Sequence, residues 1–240
     1  MGERDSSNKG FMGRHQRTTR TARSTIRLVP SICGWEAMAL SSEQTHCEAP
    51  VQPWTLIQGW VKPDAAAFWR NQLEESVGWQ QPIVKVYGRQ HPVPRLTAFL
   101  AETGVRYRYS GTQHTGSGWP EWFVPLLEEV QQTCSCNFNG CLLNLYRHGD
   151  DRMGWHADDE PEIDQSAPIA SLSFGASRDF QLRHRRETGN KTSLSLADGD
   201  LLIMQSGCQQ SWQHCIPQRK KIRTMRVNLT FRRFEMPVHF

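Results

Sequence analysis

The clearest pattern in the chain is a strict alternation of polar and apolar residues in R-V-N-L-T-F-R (226–232). Successive side chains of a strand point to opposite faces, so Val227, Leu229 and Phe231 share one face and the four polar residues share the other. A surface strand gives the same alternation. The polar face, which holds two arginines, an asparagine and a threonine, also fits the polar interior of a barrel, because the sequence around it is typical of a buried segment. A similar stripe precedes it: Leu142, Asn144 and Tyr146.

Short apolar runs separated by turn signals fill the chain from Cys141 onward. This spacing predicts many short strands, and therefore a barrel or a jelly roll. Upstream, Pro63 and Asp64 open a helical pattern, and a second helix is predicted over 121–131. The expected fold class is mainly β with flanking helices (α+β). The apolar face of the first helix consists of Phe68, Trp69, Leu73 and Val77.

Charge separates an N-terminal extension from a folded domain. Residues 1–50 are rich in Ser, Thr, Arg and Gly without apolar periodicity, which predicts disorder. The chain has a net charge of +4, but residues 1–32 carry +5 and the remainder −1, so the basic balance does not itself indicate a nucleic-acid-binding domain. Three interpretations of the extension stay open: an organellar transit peptide, a phosphate-binding arm, or residues upstream of a start at Met38.

Cysteine usage and hydropathy bear on location. The seven cysteines include no C-x-x-C pair, and an odd, irregular set is typical of reduced intracellular thiols. We therefore expect the protein in the cytoplasm or nucleoid, or in the nucleus or an organelle of a eukaryotic cell. No apolar run reaches the roughly 18 residues of a membrane span, and no secretory signal is recognisable. We expect no membrane association, and a monomer.

Three H-x-[DE] pairs are candidates for a metal site, because residues i and i+2 of a strand aim a ring and a carboxylate at one point. They are His46/Glu48, His148/Asp150 and His156/Asp158. The first lies in the presumed extension and the second in a glycine-containing turn, but spacing alone does not choose between the last two. His214 is a candidate third ligand that would complete a 2-His-1-carboxylate site for Fe(II). The arginines of 226–232 could then clamp a small dicarboxylate.

Several of these segments occur together in a recognisable order. They are N-L-Y-R-H-G-D-D-R-M-G-W-H-A-D-D-E (144–160), I-A-S-L-S-F-G-A-S-R-D-F (169–180), W-Q-H-C-I-P (212–217) and R-V-N-L-T-F-R (226–232), preceded by V-Y-G-R (86–89), P-R (94–95) and Y-R-Y-S-G (107–111). This set resembles the AlkB family of Fe(II)/2-oxoglutarate dioxygenases, which repair alkylated DNA bases, and most closely its branch that acts on duplex DNA. The resemblance covers about residues 54–234.

The resemblance implies a fold and a site. The fold would be a double-stranded β-helix, or jelly roll, at about 140–235, with an N-terminal nucleotide-recognition lid at about 80–115, in a domain spanning 51–240. The metal ligands would be His156, Asp158 and His214, which leaves His148 and Asp150 as turn residues. Arg226 would bind the distal carboxylate of 2-oxoglutarate, and Arg232 the one near the metal. The full set of cosubstrate residues would be Asn144, Tyr146, Arg226, Asn228, Thr230 and Arg232.

The resemblance also implies contacts with DNA, because a methyl group on a base-pairing edge is reached only after the base is flipped or unpaired. The residues expected at the substrate base are Tyr107, Tyr109, Asp159, Glu160 and Arg95, the two acids favouring a cationic lesion. The expected wedge in the vacated stack is Val86 and Tyr87. The expected phosphate contacts are Arg178, Arg183, Arg185, Lys220 and Lys221.

The implied function is oxidative demethylation of DNA bases such as 1-methyladenine and 3-methylcytosine. The reaction would use Fe(II), O₂ and 2-oxoglutarate, and it would release formaldehyde, succinate and CO₂. Two alternatives stay open at this point. One is the same chemistry on RNA or protein, and the other is a non-enzymatic barrel that binds nucleic acid.

Overall fold

The computed structural model describes residues 52–86, 88–109 and 111–236. Within these ranges two antiparallel sheets face each other. The six-stranded sheet consists, in spatial order, of β1 (Trp54–Ile57), β12 (Leu201–Met204), β9 (Ile169–Gly175), β14 (Arg226–Arg232), β7 (Gly140–Tyr146) and β4 (Leu96–Ala101). The four-stranded sheet consists of β11 (Lys191–Leu196), β10 (Arg178–His184), β13 (Trp212–Ile216) and β8 (Met153–His156). The turn spacing predicted a barrel or a jelly roll, and the jelly roll that the family resemblance implied is confirmed.

The central position of β14 explains its alternating sequence. It pairs with β7 on one side and with β9 on the other, and all seven of its residues are buried. Val227, Leu229 and Phe231 enter the core under the helices. The polar residues therefore face the space between the sheets, as the barrel-interior interpretation of this strand predicted.

Helices cover the outer side of the six-stranded sheet. They are α1 (Pro63–Ser76) and α2 (Val124–Cys134), while a single turn, α3 (Cys208–Ser211), precedes β13. Proline suits the first turn of α1, where its missing N–H leaves no helical bond unmade. Trp69 and Leu73 of α1 are fully buried, as its predicted apolar face requires. None of the helices in the described ranges is both long and apolar enough to cross a bilayer.

The second helix starts three residues later than the predicted 121–131. Pro125 accounts for the shift, because proline is tolerated in the first turn of a helix but disrupts its interior. A helix beginning at Glu121 would have placed Pro125 beyond that turn. Phe123 precedes the helix and is completely buried, stacked with Trp119 and near Phe231.

The predicted lid range of about 80–115 contains three different structures. Two hairpins form small separate sheets: β2 (Ile83–Val86) with β3 (Arg89–Pro92), and β5 (Arg106–Tyr109) with β6 (Thr112–Thr115). Between them, β4 is an edge strand of the large sheet, paired with β7, so this part of the range belongs to the jelly roll. That the hairpins cover a substrate stays a prediction. Of the predicted wedge, Tyr87 lies outside the described residues, as does the N-terminal extension; Val86 ends β2.

Candidate active site

Strand pairing brings the three predicted metal ligands together. His214, in the middle of β13, lies directly opposite His156, the last residue of β8, and their ring centres are 4.2 Å apart. Asp158 follows two residues after His156. One nitrogen of each histidine and one carboxylate oxygen lie within 4.8 Å of one another. His148 and Asp150, the competing pair, contact each other at 3.4 Å in a solvent-exposed turn.

Neighbouring groups fix the orientation of both rings. Nδ1 of His156 lies 2.9 Å from the carbonyl oxygen of Gly154. A carbonyl only accepts, so Nδ1 carries the proton and Nε2 keeps its lone pair for a metal. The ring of Phe180 stacks on His214 at 5.0 Å with an interplanar angle of 20°. Both imidazoles are therefore held in place before any metal binds.

Electrostatics keep the three groups in the protonation states that a metal needs. Burial lowers the pKa of His214 to about 3 and also lowers the pKa of His156, so both rings are neutral at physiological pH. Burial raises the pKa of Asp158, but the positive charge of Arg232 and the hydrogen bonds that it donates to the carboxylate outweigh burial and leave that pKa well below its ordinary value. The site thus presents two neutral imidazoles and one carboxylate, the donor set of a facial triad.

Two side chains hold Asp158 from opposite parts of the fold. Nε and Nη2 of Arg232, on β14, donate to Oδ2 of the carboxylate at 3.2 and 2.7 Å. Oε1 of Gln209, on α3, accepts the backbone N–H of Asp158 at 3.0 Å. Gln209 was not anticipated from the sequence, because no local pattern links it to Asp158, 51 positions earlier in the chain.

A small cavity lined by both polar and apolar side chains opens beside the triad, between the two sheets. Its lining includes every residue predicted to bind the cosubstrate: Asn144, Tyr146, Arg226, Asn228, Thr230 and Arg232. It also includes Ser171 of β9, which donates to Oδ1 of Asn228 at 2.9 Å. Together with Ser173, which accepts from Arg226, Ser171 was missed, although S-L-S in 171–173 alternates as the other polar stripes do.

The cavity retains unused hydrogen-bond donors. Nη2 of Arg226 donates to Ser173 and Asn228, but Nε and Nη1 are buried without a partner among the described residues. Nη1 of Arg232 is buried without a partner in the same ranges. Unpaired buried donors are costly, and a guanidinium is shaped to bind a carboxylate through two parallel bonds. The cavity therefore fits an anion with two carboxylates.

Comparison with known proteins agrees with this geometry. Residues 53–232 match the family described as "2OG-Fe(II) oxygenase superfamily". The chain belongs to this superfamily. Its site therefore takes Fe(II), 2-oxoglutarate and O₂, and the triad and the arginine-lined cavity of this 2OG-Fe(II) oxygenase fit the metal and the diacid.

Curated relatives of this oxygenase are AlkB homologues, which confirms the family resemblance. "DNA oxidative demethylase ALKBH2" of Bos taurus is 42% identical over 161 residues, covering 62% of this chain and 56% of the bovine protein. "Alpha-ketoglutarate-dependent dioxygenase alkB homolog 3" of Mus musculus is 37% identical over 186 residues, covering 74% of this chain and 64% of the mouse protein. The matches thus span less than two thirds of either relative.

A solved structure shares the fold of this oxygenase. "The structure of OsALKBH1" superimposes with a TM-score of 0.56 at 18% sequence identity, covering 78% of this chain and all of that one. The likeness supports the double-stranded β-helix architecture.

The residues predicted to contact the substrate base lie in two groups near the oxygenase site. The hydroxyl of Tyr107 donates to Oε1 of Glu160 at 3.1 Å, and burial raises the pKa of both groups. The hydroxyl of Tyr109 accepts from Arg95, whose Nε donates to Oδ1 of Asn144 at 2.8 Å. The two tyrosine rings stack at 5.7 Å. Both are buried, so their contact with a flipped base stays a prediction.

The predicted phosphate contacts differ in exposure. Arg178 was predicted wrongly: it is 2% exposed, and its guanidinium donates to backbone carbonyls inside the protein. Arg183 lies over the ring of Trp155 at 4.4 Å, and Arg185 pairs with Asp159 at 2.9 Å. Both remain partly exposed. Lys220 and Lys221 are exposed at a surface turn, and their contact with phosphates stays a prediction.

Replacing Gln209 with leucine is expected to weaken metal binding by about 10- to 100-fold, the usual effect of losing a group that orients a ligand. Leucine cannot accept a hydrogen bond from the backbone N–H of Asp158, so the segment that carries this metal ligand is no longer bonded to α3. Calorimetric titration with Mn(II) measures the effect. Gln210→Leu is the matched control, because Gln210 is exposed on the same turn. Equal affinities for the two variants would refute the role of Gln209.

Proposed function

We propose that this protein oxidatively demethylates alkylated DNA bases, with 1-methyladenine and 3-methylcytosine as the substrate type. The observation that carries the proposal is the 42% identity to a protein named as a DNA oxidative demethylase. The complete triad and cavity lie within residues 53–232, which match the oxygenase family. Because the matches cover only part of each relative, the substrate and the reaction are proposals.

The proposed reaction is balanced without further reactants. One O₂ and one 2-oxoglutarate yield succinate, CO₂ and one hydroxylated methyl group on the base nitrogen. The hydroxymethyl group then leaves as formaldehyde: the N–C bond breaks, its electron pair returns to the base nitrogen as a lone pair, and the hydroxyl proton is released. Bound at His156, Asp158 and His214, the iron supplies the oxidising power for breaking the methyl C–H bond.

The side chains of the cavity position the cosubstrate. Arg226 binds the distal carboxylate through its free Nε and Nη1, with Tyr146 and Asn144 beside it. Arg232 reaches the carboxylate near the metal through Nη1 while its other nitrogens hold Asp158. Thr230 fixes the amide of Asn228 by accepting from its Nδ2 at 2.8 Å. The diacid thus meets an already oriented set of donors.

The surroundings of the triad suit a positively charged lesion. Asp159 and Glu160 follow the metal-binding Asp158 directly. Asp159 is paired with Arg185, so the carboxylate of Glu160 is the proposed source of Coulombic attraction for a cationic base. A methylated base that cannot pair normally also costs less to flip out of the duplex. Both effects favour 1-methyladenine and 3-methylcytosine over unmodified bases. Tyr107 and Tyr109 are the proposed aromatic partners of the flipped base, with Arg95 beside Tyr109, and Val86 and Tyr87 are the proposed wedge.

A demethylation assay tests the proposal. Single- and double-stranded oligonucleotides carrying either lesion are incubated with the Fe(II)-loaded protein, with and without 2-oxoglutarate, and formaldehyde and repaired base are measured. We expect equal amounts of both products, only with 2-oxoglutarate, and none with His156→Ala. RNA and peptide substrates run in parallel, and faster turnover on either would replace DNA with the alternative substrate. Iron-independent binding of DNA without turnover would favour the non-enzymatic barrel.

Replacing Lys220 and Lys221 together with glutamine is expected to weaken binding to methylated duplex DNA and to flatten its salt dependence. Each lost phosphate contact lowers the slope of log affinity against log salt by about 0.9. Fluorescence anisotropy between low and moderate salt measures the slope. Lys62→Gln, at an exposed position before α1, is the control and should change neither value. An unchanged slope for the double variant would remove these lysines from the DNA interface.

A further inference from the structure

Two buried guanidiniums lie against one tyrosine of the cavity. Arg178 and Arg226 are 2% and 1% exposed, and their guanidinium carbons lie 5.5 and 5.4 Å from the ring centre of Tyr146. Arg226 lines the cavity itself, whereas Arg178 does not. Arg178 can therefore act on the cosubstrate in two ways: by holding the ring of Tyr146, or by the electrostatic effect of its own positive charge.

The hydrogen bonds of Arg178 join the loops that end the site's strands. Its Nη2 donates to the carbonyl oxygens of Asp151 and Pro217, both at 2.8 Å. Asp151 lies in the connection from β7, which carries Asn144 and Tyr146, to β8, which ends at His156. Pro217 comes directly after β13, the strand of His214. One side chain thus ties together three strands that carry metal and cosubstrate residues.

Within the part of the chain that the structure describes, no carboxylate is paired with the guanidinium of Arg178. The acids that act on it are Asp151 and Asp179. The carboxylate of Asp151 is bonded by Arg147, and the carboxylate of Asp179 by Arg219. Burying a cation is costly unless an anion or strong dipoles compensate it. Arg226 donates to the hydroxyl of Ser173 and the amide oxygen of Asn228, so its charge is not paired with either of these neutral groups. Arg178 and Arg226 together make the Tyr146 side of the cavity a place that favours an anion.

We propose that Arg178 is a positioning residue for 2-oxoglutarate: it fixes Tyr146 and adds a second buried positive charge beside the carboxylate held by Arg226. A cation near the ring draws electron density from the phenol, which makes its hydroxyl a stronger donor to that carboxylate. This role lies inside the protein, whereas the sequence had predicted that Arg178 contacts DNA phosphates. The inference rests on the cosubstrate part of the proposed function and not on the DNA substrate.

Calorimetric titration of the Mn(II)-loaded protein with 2-oxoglutarate tests the role without turnover. We expect Arg178→Met to weaken 2-oxoglutarate binding about tenfold, and Arg178→Lys, which keeps the charge, to recover most of that affinity. The melting temperature should fall in both, because methionine has no donor for the carbonyls of Asp151 and Pro217 and lysine lacks the planar guanidinium that now bonds both. Arg219→Met is the control: it removes a charge near Arg178 on the solvent side and should leave 2-oxoglutarate affinity within about twofold.

Three results would overturn the inference. Arg178→Met could unfold more easily while binding 2-oxoglutarate normally, which would make the residue purely structural. Arg178→Lys could bind as weakly as Arg178→Met, which would exclude the charge. The KM for DNA and its salt dependence could change while the KM for 2-oxoglutarate did not, which would restore the phosphate contact.

Where Arg178→Met fails to fold, Arg178→Gln carries the same expectations, since it is neutral and keeps a donor for one carbonyl. A wild-type protein that binds 2-oxoglutarate but demethylates no DNA would refute the proposed function alone.

Discussion

Asp158→Ala is expected to eliminate metal binding and demethylation together, and to destabilise the metal-free protein as well. The variant removes the single carboxylate of the triad, so we expect turnover to fall by at least about 10³-fold. It also leaves the buried guanidinium of Arg232 without the oxygen that now accepts its two bonds. Breaking a buried pair by removing one partner typically costs about 3–5 kcal/mol of unfolding free energy.

The two losses are separated by a second variant. His214→Ala removes another ligand but keeps the pair between Arg232 and Asp158, so its metal-free stability should fall less while metal binding is equally lost. Mn(II) calorimetry, urea unfolding of the metal-free proteins and formaldehyde release measure the three quantities. Retention of Mn(II) affinity within tenfold by Asp158→Ala would show that the triad is not the metal site.

Arg226→Met is expected to separate function from stability. The variant removes a buried cation whose Nε and Nη1 have no hydrogen-bond partner among the described residues. The affinity for 2-oxoglutarate should therefore fall by about 100-fold or more, within the roughly 2–5 kcal/mol typical of losing one partner of a buried charge pair. Mn(II) affinity should not change. Burial already lowers the pKa of Arg226 to about 10, which shows that the fold disfavours its charge when no anion is bound.

The stability of Arg226→Met without cosubstrate should therefore stay within about 1 kcal/mol of the wild type, since replacing an uncompensated buried ion by an apolar side chain is often neutral or stabilising. Added 2-oxoglutarate should raise the Tm of the Mn(II)-loaded wild type but not that of the variant. Arg70→Met, which removes an arginine paired with Asp198 elsewhere in the fold, is the control and should keep the ligand-induced shift. A full shift in Arg226→Met would place the diacid elsewhere.

The strands and their polar stripes were predictable from the sequence because they follow a local period. The alternation of 226–232 separated the side chains that face the cavity from those that face the core. The turn-punctuated runs predicted a barrel or a jelly roll, and only the family resemblance chose the jelly roll. The His-x-Asp spacing did not choose between His148 and His156, because both pairs have it. Only the motif context favoured His156, and the structure shows why the choice has a physical basis: His156 lies opposite His214 across two paired strands.

Arg178 was predicted wrongly although the necessary pattern was present. In R-D-F-Q-L-R-H (178–184), Arg178 shares its face with Phe180 and Leu182, both buried, while Arg183 lies on the other face. The alternation thus indicated an inward-pointing arginine, and its charge alone suggested a surface contact. Gln209 could not have been found this way, because its bond to Asp158 depends on how α3 packs beside a distant loop.

A crystal structure of the protein with Mn(II) and 2-oxoglutarate tests the central claim most directly. The account predicts one metal ion bound by Nε2 of His156, the carboxylate of Asp158 and His214, with the diacid beside it between Arg226 and Arg232. A metal ion bound elsewhere, or a diacid outside this cavity, would contradict it.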